Sequence, residues 1–201
     1  MSGSAGILWP PIERLARRSG RPIRVLDIAT GGGDIPIALS RRAQRRGLPI
    51  QVAGCDVSPR AIEFARRRAE RLGAQVEFFQ RDVLAEPLPE GFDAIVCSLF
   101  LHHLADDDAI EILRRMAAAS RHLVAANDLR RSTAGLLLAY AASKTLTGSD
   151  VVRVDAPLSV RAAFTIAEAR AIAERAALGG ATVKPRWPQR FLLCWWRDER
   201  M

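Results

Sequence analysis

Short apolar runs and amphipathic stretches alternate along the chain from residue 24 onward. The first apolar runs do not alternate inward and outward side chains, which is typical of strands buried on both faces of a parallel sheet. The seven predicted strands are residues 24–28, 50–56, 75–80, 92–98, 122–127, 181–186 and 191–196. This pattern predicts an α/β fold in which helices cover both faces of one sheet.

Four segments between the strands are predicted to be helices. Two of them begin with recognisable caps: Ser58 precedes Pro59 at a first helical position, and Thr165 forms a capping box with Glu168. The predicted helices are residues 34–46, 59–73, 106–120 and 165–178.

One segment interrupts the alternation. Residues 129–164 contain an apolar, helix-like stretch at 133–146, followed by a loop. Because this insert follows the fifth predicted strand, it should lie at the carboxyl edge of the sheet, where ligands bind in such folds. We therefore expect a helical lid over a bound substrate. We expect residues 1–201 to form a single domain, with a helical segment at 1–20.

Charge and length limit the choice of partners. The chain has a formal net charge of +8, and arginine supplies all but two of its 30 basic residues. Arginines alternate with acidic residues, as at 66–71, which favours solvated helix faces over a nucleic-acid surface. The opening residues lack the apolar core of a signal peptide, and no apolar run approaches the roughly 20 residues that span a bilayer. We therefore expect a cytoplasmic protein without a membrane span.

The cysteines do not suggest a metal site. Cys55, Cys97 and Cys194 each lie inside an apolar run, and no two have ligand spacing. We interpret them as small buried hydrophobes in a reducing compartment. A catalytic thiol at Cys97 is the less favoured alternative.

The strongest motif is a glycine-rich loop between the first strand and the helix that follows it. Residues 25–34 read VLDIATGGGD. Glycines there let the backbone approach a ligand at a helix N-terminus. A dinucleotide fingerprint starting at Gly31 needs glycine at position 36, where Pro36 stands, and the Gly-Lys-Ser/Thr of a P-loop is absent.

What remains, Asp-x-Ala-x-Gly-x-Gly-Asp, resembles motif I of class I S-adenosylmethionine-dependent methyltransferases. It is most similar to the version in ubiquinone/menaquinone-biosynthesis methyltransferases, which also have alanine where many relatives have the first glycine. The resemblance covers residues 24–127. It implies a Rossmann-like, seven-stranded, mostly parallel sheet and S-adenosylmethionine as cofactor, with its methionyl amino and carboxylate ends held by Asp27 and the loop 29–33.

Two acids downstream match the family in order and context. Asp56 ends the second strand, where a carboxylate accepts ribose hydroxyls in dinucleotide folds. Asp82 follows the third strand, where the family places an acid beside the adenine amino group. Taken singly, each acid is equally well explained as a turn or cap residue, and Asp56 before Ser58 suits that role. The residues expected to bind the cofactor are Asp27, Ala29, Thr30, Gly31, Gly33, Asp56, Val57, Asp82, Val83 and Ser98.

The segment after the fourth strand contains two histidines, as in the family. It lacks the Asn/Asp-Pro-Pro-aromatic tetrad of methyltransferases that act on exocyclic amines of bases or on glutamine, which counts against DNA and release-factor substrates. His102 and His103 are the candidate general bases for a phenol with a pKa of about 10; the alternative is that one or both are structural. Because the chain turns after the strand, the two side chains should diverge, and at most one should face the acceptor.

Candidate substrate residues follow the fifth strand. Asp128 or Arg130 would orient the acceptor, and Tyr140, with residues 136–138, would line a lipophilic pocket unless these side chains only pack the lid. This stretch departs from quinone-biosynthesis methyltransferases and is similar to small bacterial methyltransferases associated with polyketide-type phenolic products.

The sequence therefore predicts methyl transfer to oxygen or carbon of a small, apolar phenolic or quinone-like acceptor, as in secondary metabolism. An RNA methyltransferase, suggested by the basic charge, and a non-catalytic S-adenosylmethionine-binding protein are the alternatives.

Overall fold

A seven-stranded sheet forms the centre of the protein. The computed structural model describes residues 3–132 and 163–197; the predicted helix at 133–146, including Tyr140, lies outside them. The strands are β1 (Ile23–Ile28), β2 (Ile50–Asp56), β3 (Val76–Gln80), β4 (Phe92–Ser98), β5 (Ser120–Leu129), β6 (Thr182–Arg186) and β7 (Arg190–Trp196). Their order is β3-β2-β1-β4-β5-β7-β6.

The sheet is mostly parallel. Strands β1 to β5 pair in parallel, whereas β7 pairs antiparallel with both β5 and β6. The carboxyl ends of β1, β2, β4 and β5 therefore meet at one edge of the sheet, and the turn between β6 and β7 reaches the same edge because Arg190 pairs with Leu129.

Helices cover both faces. They are α1 (Gly3–Ser19), α2 (Asp34–Arg46), α3 (Pro59–Arg71), α4 (Asp106–Ala119) and α5 (Ile166–Arg175), with a short 3-10 turn at Leu101–His103. One apolar core joins the sheet to α4 and α5, and a second joins its other face to α1 and α2. The Rossmann-like arrangement predicted from the sequence is confirmed.

Local signals placed the elements well. Ser58 Oγ accepts the Ala61 N–H (3.2 Å), and Thr165 with Glu168 forms both hydrogen bonds of a capping box. The main difference is in β5, which is longer at both ends than the predicted 122–127. Its pairing with β7 extends to Leu129, so Asp128 belongs to the strand and not to the loop after it. Among the described residues, no helix is long and apolar enough to cross a membrane.

The glycine-rich loop rests on a third small core between α2, α3 and β3. Gly33 is the N-cap of α2 and has a φ of +75°. A Cβ placed there would lie 2.8 Å from Phe78 Cζ and 2.9 Å from the Ala65 Cβ. Glycine is therefore required at this position by packing as well as by backbone conformation.

We predict that Gly33→Ala destabilises the protein by roughly 2–4 kcal/mol, because a left-handed alanine costs about 1 kcal/mol and overpacking adds about 1–3 kcal/mol. Gly47→Ala is the matched control: Gly47 also has a positive φ (+61°), but its Cβ would meet nothing within 4 Å. It should cost only about 1 kcal/mol. Urea unfolding measures both; equal losses would contradict the packing argument.

Candidate functional site

The loop after β1 packs closely against the carboxyl end of β2. Ala29 and Gly31 have φ values of 51° and 53°, a conformation that costs alanine about 1 kcal/mol. The Thr30 N–H donates to the Cys55 carbonyl (2.9 Å). A Cβ on Gly54 would come within 3.0 Å of Thr30 Oγ1, so this glycine allows the close approach. Sequence reasoning missed Gly54, although a glycine inside a strand is the usual signal for such an approach.

Asp27, at the end of β1, is an incompletely satisfied buried carboxylate. It is 1% exposed, and Thr30 Oγ1 donates to its Oδ2 (2.6 Å), whereas Oδ1 has no partner among the described residues. Burial raises its pKa to about 7; the Thr30 hydrogen bond opposes this shift, and the charge of Asp56 adds to it. An orphaned buried oxygen of this kind suits a cationic ligand group.

Asp56 joins the end of β2 to the glycine-rich loop. Its Oδ2 accepts the Gly31 N–H (2.8 Å), and its Oδ1 accepts the Ser58 N–H (2.9 Å). The carboxylate therefore has the predicted turn role and also holds the glycine-rich loop, whereas its predicted binding of ribose hydroxyls stays a prediction. The neighbouring Val57 is 57% exposed and gives this corner an apolar surface.

Asp82 and Val83 follow β3. Asp82 Oδ1 accepts the N–H groups of Leu84 (2.9 Å) and Ala85 (3.2 Å), as a turn residue does. The Val83 side chain is buried in the core, so only its backbone can face a ligand at this point.

Ser98 and Asn127 link the carboxyl ends of the paired strands β4 and β5 through their side chains. They are register partners, and Asn127 Nδ2 donates to Ser98 Oγ (2.8 Å). Asn127 is fully buried, and its Oδ1 has no partner within the part of the chain that the structure describes. Sequence reasoning did not select Asn127, although a polar residue at the end of an apolar strand was the available signal.

The chain turns sharply after β4. Leu99 has a φ of 56°, and its N–H donates to the Asn127 carbonyl (2.9 Å). This turn directs the Leu101–His103 segment across the end of β5, as the sequence predicted for a chain reversal near residues 99–101.

Asp128 is the anchor of that segment. It is 1% exposed. Its Oδ2 accepts the N–H groups of Phe100 (3.1 Å) and His102 (3.3 Å), and its Oδ1 accepts the Leu129 N–H (2.6 Å) and faces His102 Nδ1 (2.6 Å). Because a carboxylate has about four acceptor positions, Asp128 has none left for a substrate. The geometry supports a positioning role for it in place of the direct substrate contact predicted from the sequence.

The two histidines do not diverge. Their ring centroids lie 4.0 Å apart, with a tilt of 40° between the planes, so that expectation was wrong. They differ in environment: His102 is 7% exposed and paired with Asp128, whereas His103 is exposed. Desolvation and the neighbouring His102 lower the pKa of His103, and the charge of Asp128 opposes this. The 3-10 turn keeps both rings on one side, a detail that strand periodicity cannot supply.

Arg130 lies just beyond β5, against the turn between β6 and β7. Its N–H donates to the Gln189 carbonyl (2.9 Å), its Nη2 donates to Gln189 Oε1 (3.2 Å), and its Nε is buried without a partner. The structure thus brings Arg130 to the same edge as Asp128. Tyr140, the third predicted substrate residue, lies outside the described residues.

Cys97 is unsuited to act as a nucleophile. It is 1% exposed, and burial, with the charges of Asp128 and Asp27, raises the pKa of its thiol well above the ordinary value. Thiolate chemistry needs a lowered pKa and access. Within residues 3–132 and 163–197, no group of three or more His, Cys, Asp or Glu side chains is arranged to hold a metal.

Two large cavities lie at the opposite edge. One, of about 520 Å³, is lined by residues that include Ile50 and Gln75, and another, of about 570 Å³, is lined by residues that include Arg14 and Arg18. Neither contains the orphaned acceptors or the histidine pair. The carboxyl edge, where the glycine-rich loop, the buried aspartates and the histidines meet, is therefore the candidate active site.

Comparison with known proteins finds a methyltransferase domain in this chain. Residues 25–122 match the model of a methyltransferase domain. The chain is 39% identical over 105 residues to a demethylmenaquinone methyltransferase of Thermus thermophilus, covering 51% of this chain and 46% of the relative. It is 39% identical over 101 residues to a release factor glutamine methyltransferase of Geobacter sulfurreducens, covering 50% of this chain and 34% of the relative. The chain thus spans less than half the length of these curated relatives.

The fold is shared with solved structures of methyltransferases. A crystal structure of the S-adenosylmethionine-dependent methyltransferase SibL in its apo form superposes with a TM-score of 0.70 at 18% identity, covering 98% of this chain and 55% of that one. The motif I resemblance, the match of residues 25–122 to a methyltransferase domain and the sheet order agree, and all three liken this chain to the class I S-adenosylmethionine-dependent methyltransferases.

Proposed function

We propose that this protein transfers the methyl group of S-adenosylmethionine to oxygen or an activated ring carbon of a small, largely apolar phenol or quinol. One observation carries the acceptor half of this proposal: His102 Nδ1 lies 2.6 Å from Asp128 Oδ1. A carboxylate at that distance favours the tautomer with its proton on Nδ1, which leaves Nε2 as a base.

The carboxyl edge fits the cofactor. Among the described residues, Asp27 Oδ1 is a buried acceptor without a partner, which suits the methionyl ammonium. Asn127 Oδ1 is a second such acceptor, two strands away. The exposed Val57 beside Asp56 suits the adenosyl group. When bound, S-adenosylmethionine supplies a methyl group already activated on sulfonium. We assign its binding to Asp27, Ala29, Thr30, Gly31, Gly33, Asp56, Val57, Asp82, the Val83 backbone, Ser98 and Asn127.

The protein's own contribution is then proton removal and alignment. Holding the acceptor in line with the methyl group can supply up to about 7–11 kcal/mol in ideal cases. His102 takes the hydroxyl proton, and Asp128 fixes the imidazole and stabilises its charged form. His103 lines the same side. Removing the proton activates either a phenolate oxygen or the ring carbon of a quinol, so both O- and C-methylation follow from one base.

The relatives differ in the acceptors that their names state. The Thermus thermophilus relative acts on demethylmenaquinone, which is a quinone-type acceptor, and the Geobacter sulfurreducens relative acts on a glutamine. After β4 this chain reads SLFL at 98–101, without the Asn/Asp-Pro-Pro-aromatic tetrad, which favours the quinone-type comparison. The three buried free cysteines suit a reducing compartment, and we place the enzyme in the cytoplasm.

Asp56→Ala should weaken binding of S-adenosylhomocysteine by about 1.5–3 kcal/mol, because it removes hydrogen bonds to a charged acceptor. Part of the loss will come from the freed Gly31 N–H. Asp56→Asn is the control that keeps one acceptor oxygen and should lose less. Calorimetric titration measures both, and unchanged affinity in a folded Asp56→Ala protein would reduce Asp56 to a turn residue.

His102→Gln should lower the methylation rate by about 10²–10⁴-fold if His102 is the base, while the affinity for S-adenosylhomocysteine stays nearly constant. His103→Gln is the matched control and should retain most of the activity. The assay follows a 14-dalton gain by mass spectrometry across a panel of phenols and quinols. Near-full activity of both variants would leave alignment alone as the catalytic device; methyl transfer to RNA but to no phenol would overturn the proposed acceptor class.

A further inference from the structure

Among the residues that the structure describes, the partly buried guanidinium of Arg130 has no anionic partner. Its Nε is buried and unpaired, and its side chain has one hydrogen bond, from Nη2 to the neutral amide oxygen of Gln189 (3.2 Å). Within residues 3–132 and 163–197, no carboxylate forms a salt bridge with it. Charged groups are rarely buried without a partner, so this arrangement favours an anion supplied by a ligand.

The nearest acids are already committed. The four acceptor positions of Asp128 receive three backbone N–H groups and the ring of His102. Glu168 pairs with the neighbouring Arg131 and accepts the Thr165 N–H (2.7 Å). Asp128 therefore has no acceptor position left for Arg130, and neither carboxylate forms a salt bridge with its guanidinium.

The backbone holds Arg130 in place. Its N–H donates to the Gln189 carbonyl (2.9 Å), and it forms a bridge with Phe164. Gln189 Oε1 also accepts the Ser132 hydroxyl (2.6 Å), which fixes the amide that the guanidinium meets. A guanidinium positioned by its surroundings binds a planar carboxylate through two parallel hydrogen bonds.

Arg130 lies close along the chain to Asp128, the residue that holds the proposed base His102. It lies two residues after Asp128 along an extended chain, so the two residues face the same side of the sheet, about 7 Å apart. Asp128 in turn holds His102. His102 and Arg130 therefore both lie at the carboxyl end of β5, where one ligand can meet both.

We propose that Arg130 is the anion-binding residue of the acceptor site and that the acceptor is a hydroxylated aromatic acid, with its carboxylate on Arg130 and its hydroxyl at His102. This inference rests on the proposed function, which it narrows from phenols in general to phenols that carry one carboxylate. Gln189 and Ser132 are the residues that position the guanidinium.

The experiment compares matched probes on the full chain saturated with S-adenosylhomocysteine. The probes are 4-hydroxybenzoate, 4-hydroxycinnamate and 6-hydroxy-2-naphthoate, each against its neutral amide, and calorimetry gives the affinities. At least one acid should bind more tightly than its amide, and Arg130→Gln should reduce that preference by about 10- to 100-fold, the equivalent of one charged hydrogen-bonded contact.

Arg131→Gln is the charge-matched control, because it removes the same charge from the adjacent residue, which already pairs with Glu168. It should keep the preference for acids. Loss of the preference in both variants would mean a general field effect and would overturn the proposal. The proposal would also be overturned if the acids bound no more tightly than their amides, or if Arg130→Gln kept the preference for acids.

Two further readouts separate this inference from the proposed function. If Arg130→Gln weakens the binding of S-adenosylhomocysteine itself, the guanidinium holds the methionyl carboxylate and the inference fails. If neutral phenols are methylated as well as acids, the proposed function holds and the inference fails. If acids bind through Arg130 but no phenol is methylated, the anion subsite holds and the proposed function fails.

Discussion

A carboxylate buried at the edge of a sheet must find hydrogen-bond donors or remain partly protonated, and this constraint organises the whole carboxyl edge. Asp27 and Asp128 are both 1% exposed, yet the protein treats them in opposite ways. Asp128 receives donors at all of its acceptor positions and so fixes the turn after β4. Asp27 receives one hydroxyl and keeps an orphaned oxygen. One aspartate is therefore complete within the described residues, and the other keeps an acceptor oxygen for the ligand that we propose.

Because Asp27 lacks a hydrogen-bond donor at Oδ1 within the described part of the chain, its protonation state should depend on ligand binding. Because folding raises its pKa from 3.8 to about 7, the folded chain holds a proton that the unfolded chain releases above about pH 4. Its contribution to the free energy of unfolding is therefore largest below that pH and is lost as the pH rises through about 7. A cationic ligand group beside Asp27 lowers its pKa again, because the positive charge stabilises the ionised carboxylate.

Much of the fold could be predicted because its signals are local. The caps at Ser58 and Thr165, the glycine-rich loop and the apolar runs each depend on a few neighbouring residues. The parts that could not be predicted depend on pairing across the sheet. Asp128 is in a strand only because β7 pairs with β5 as far as Leu129. Likewise Gln189, which meets Arg130, comes from a turn some 60 residues away, and no local pattern connects them.

The residues of the candidate site likewise fall into those that the sequence predicted and those that only tertiary contacts identify. The resemblance selected the acids and glycines of the loop, which the structure brings together at one edge. It did not select Asn127 or Gly54, whose importance follows from contacts with Ser98 and Thr30. It also selected the histidines without their geometry: a chain turn after the strand predicts that the two side chains diverge, whereas the 3-10 turn brings their ring centroids to 4.0 Å from each other.

Calorimetric titration with S-adenosylhomocysteine at about pH 6, in two buffers of different ionisation enthalpy, tests the central claim most directly. If the methionyl ammonium completes Asp27, whose pKa is about 7 in the free protein, binding will release up to about one proton. Asp27→Asn will then bind without proton release, and NAD will give no binding heat. Binding of NAD, or tight binding of S-adenosylhomocysteine with the same proton balance in Asp27→Asn as in the native chain, would contradict the account.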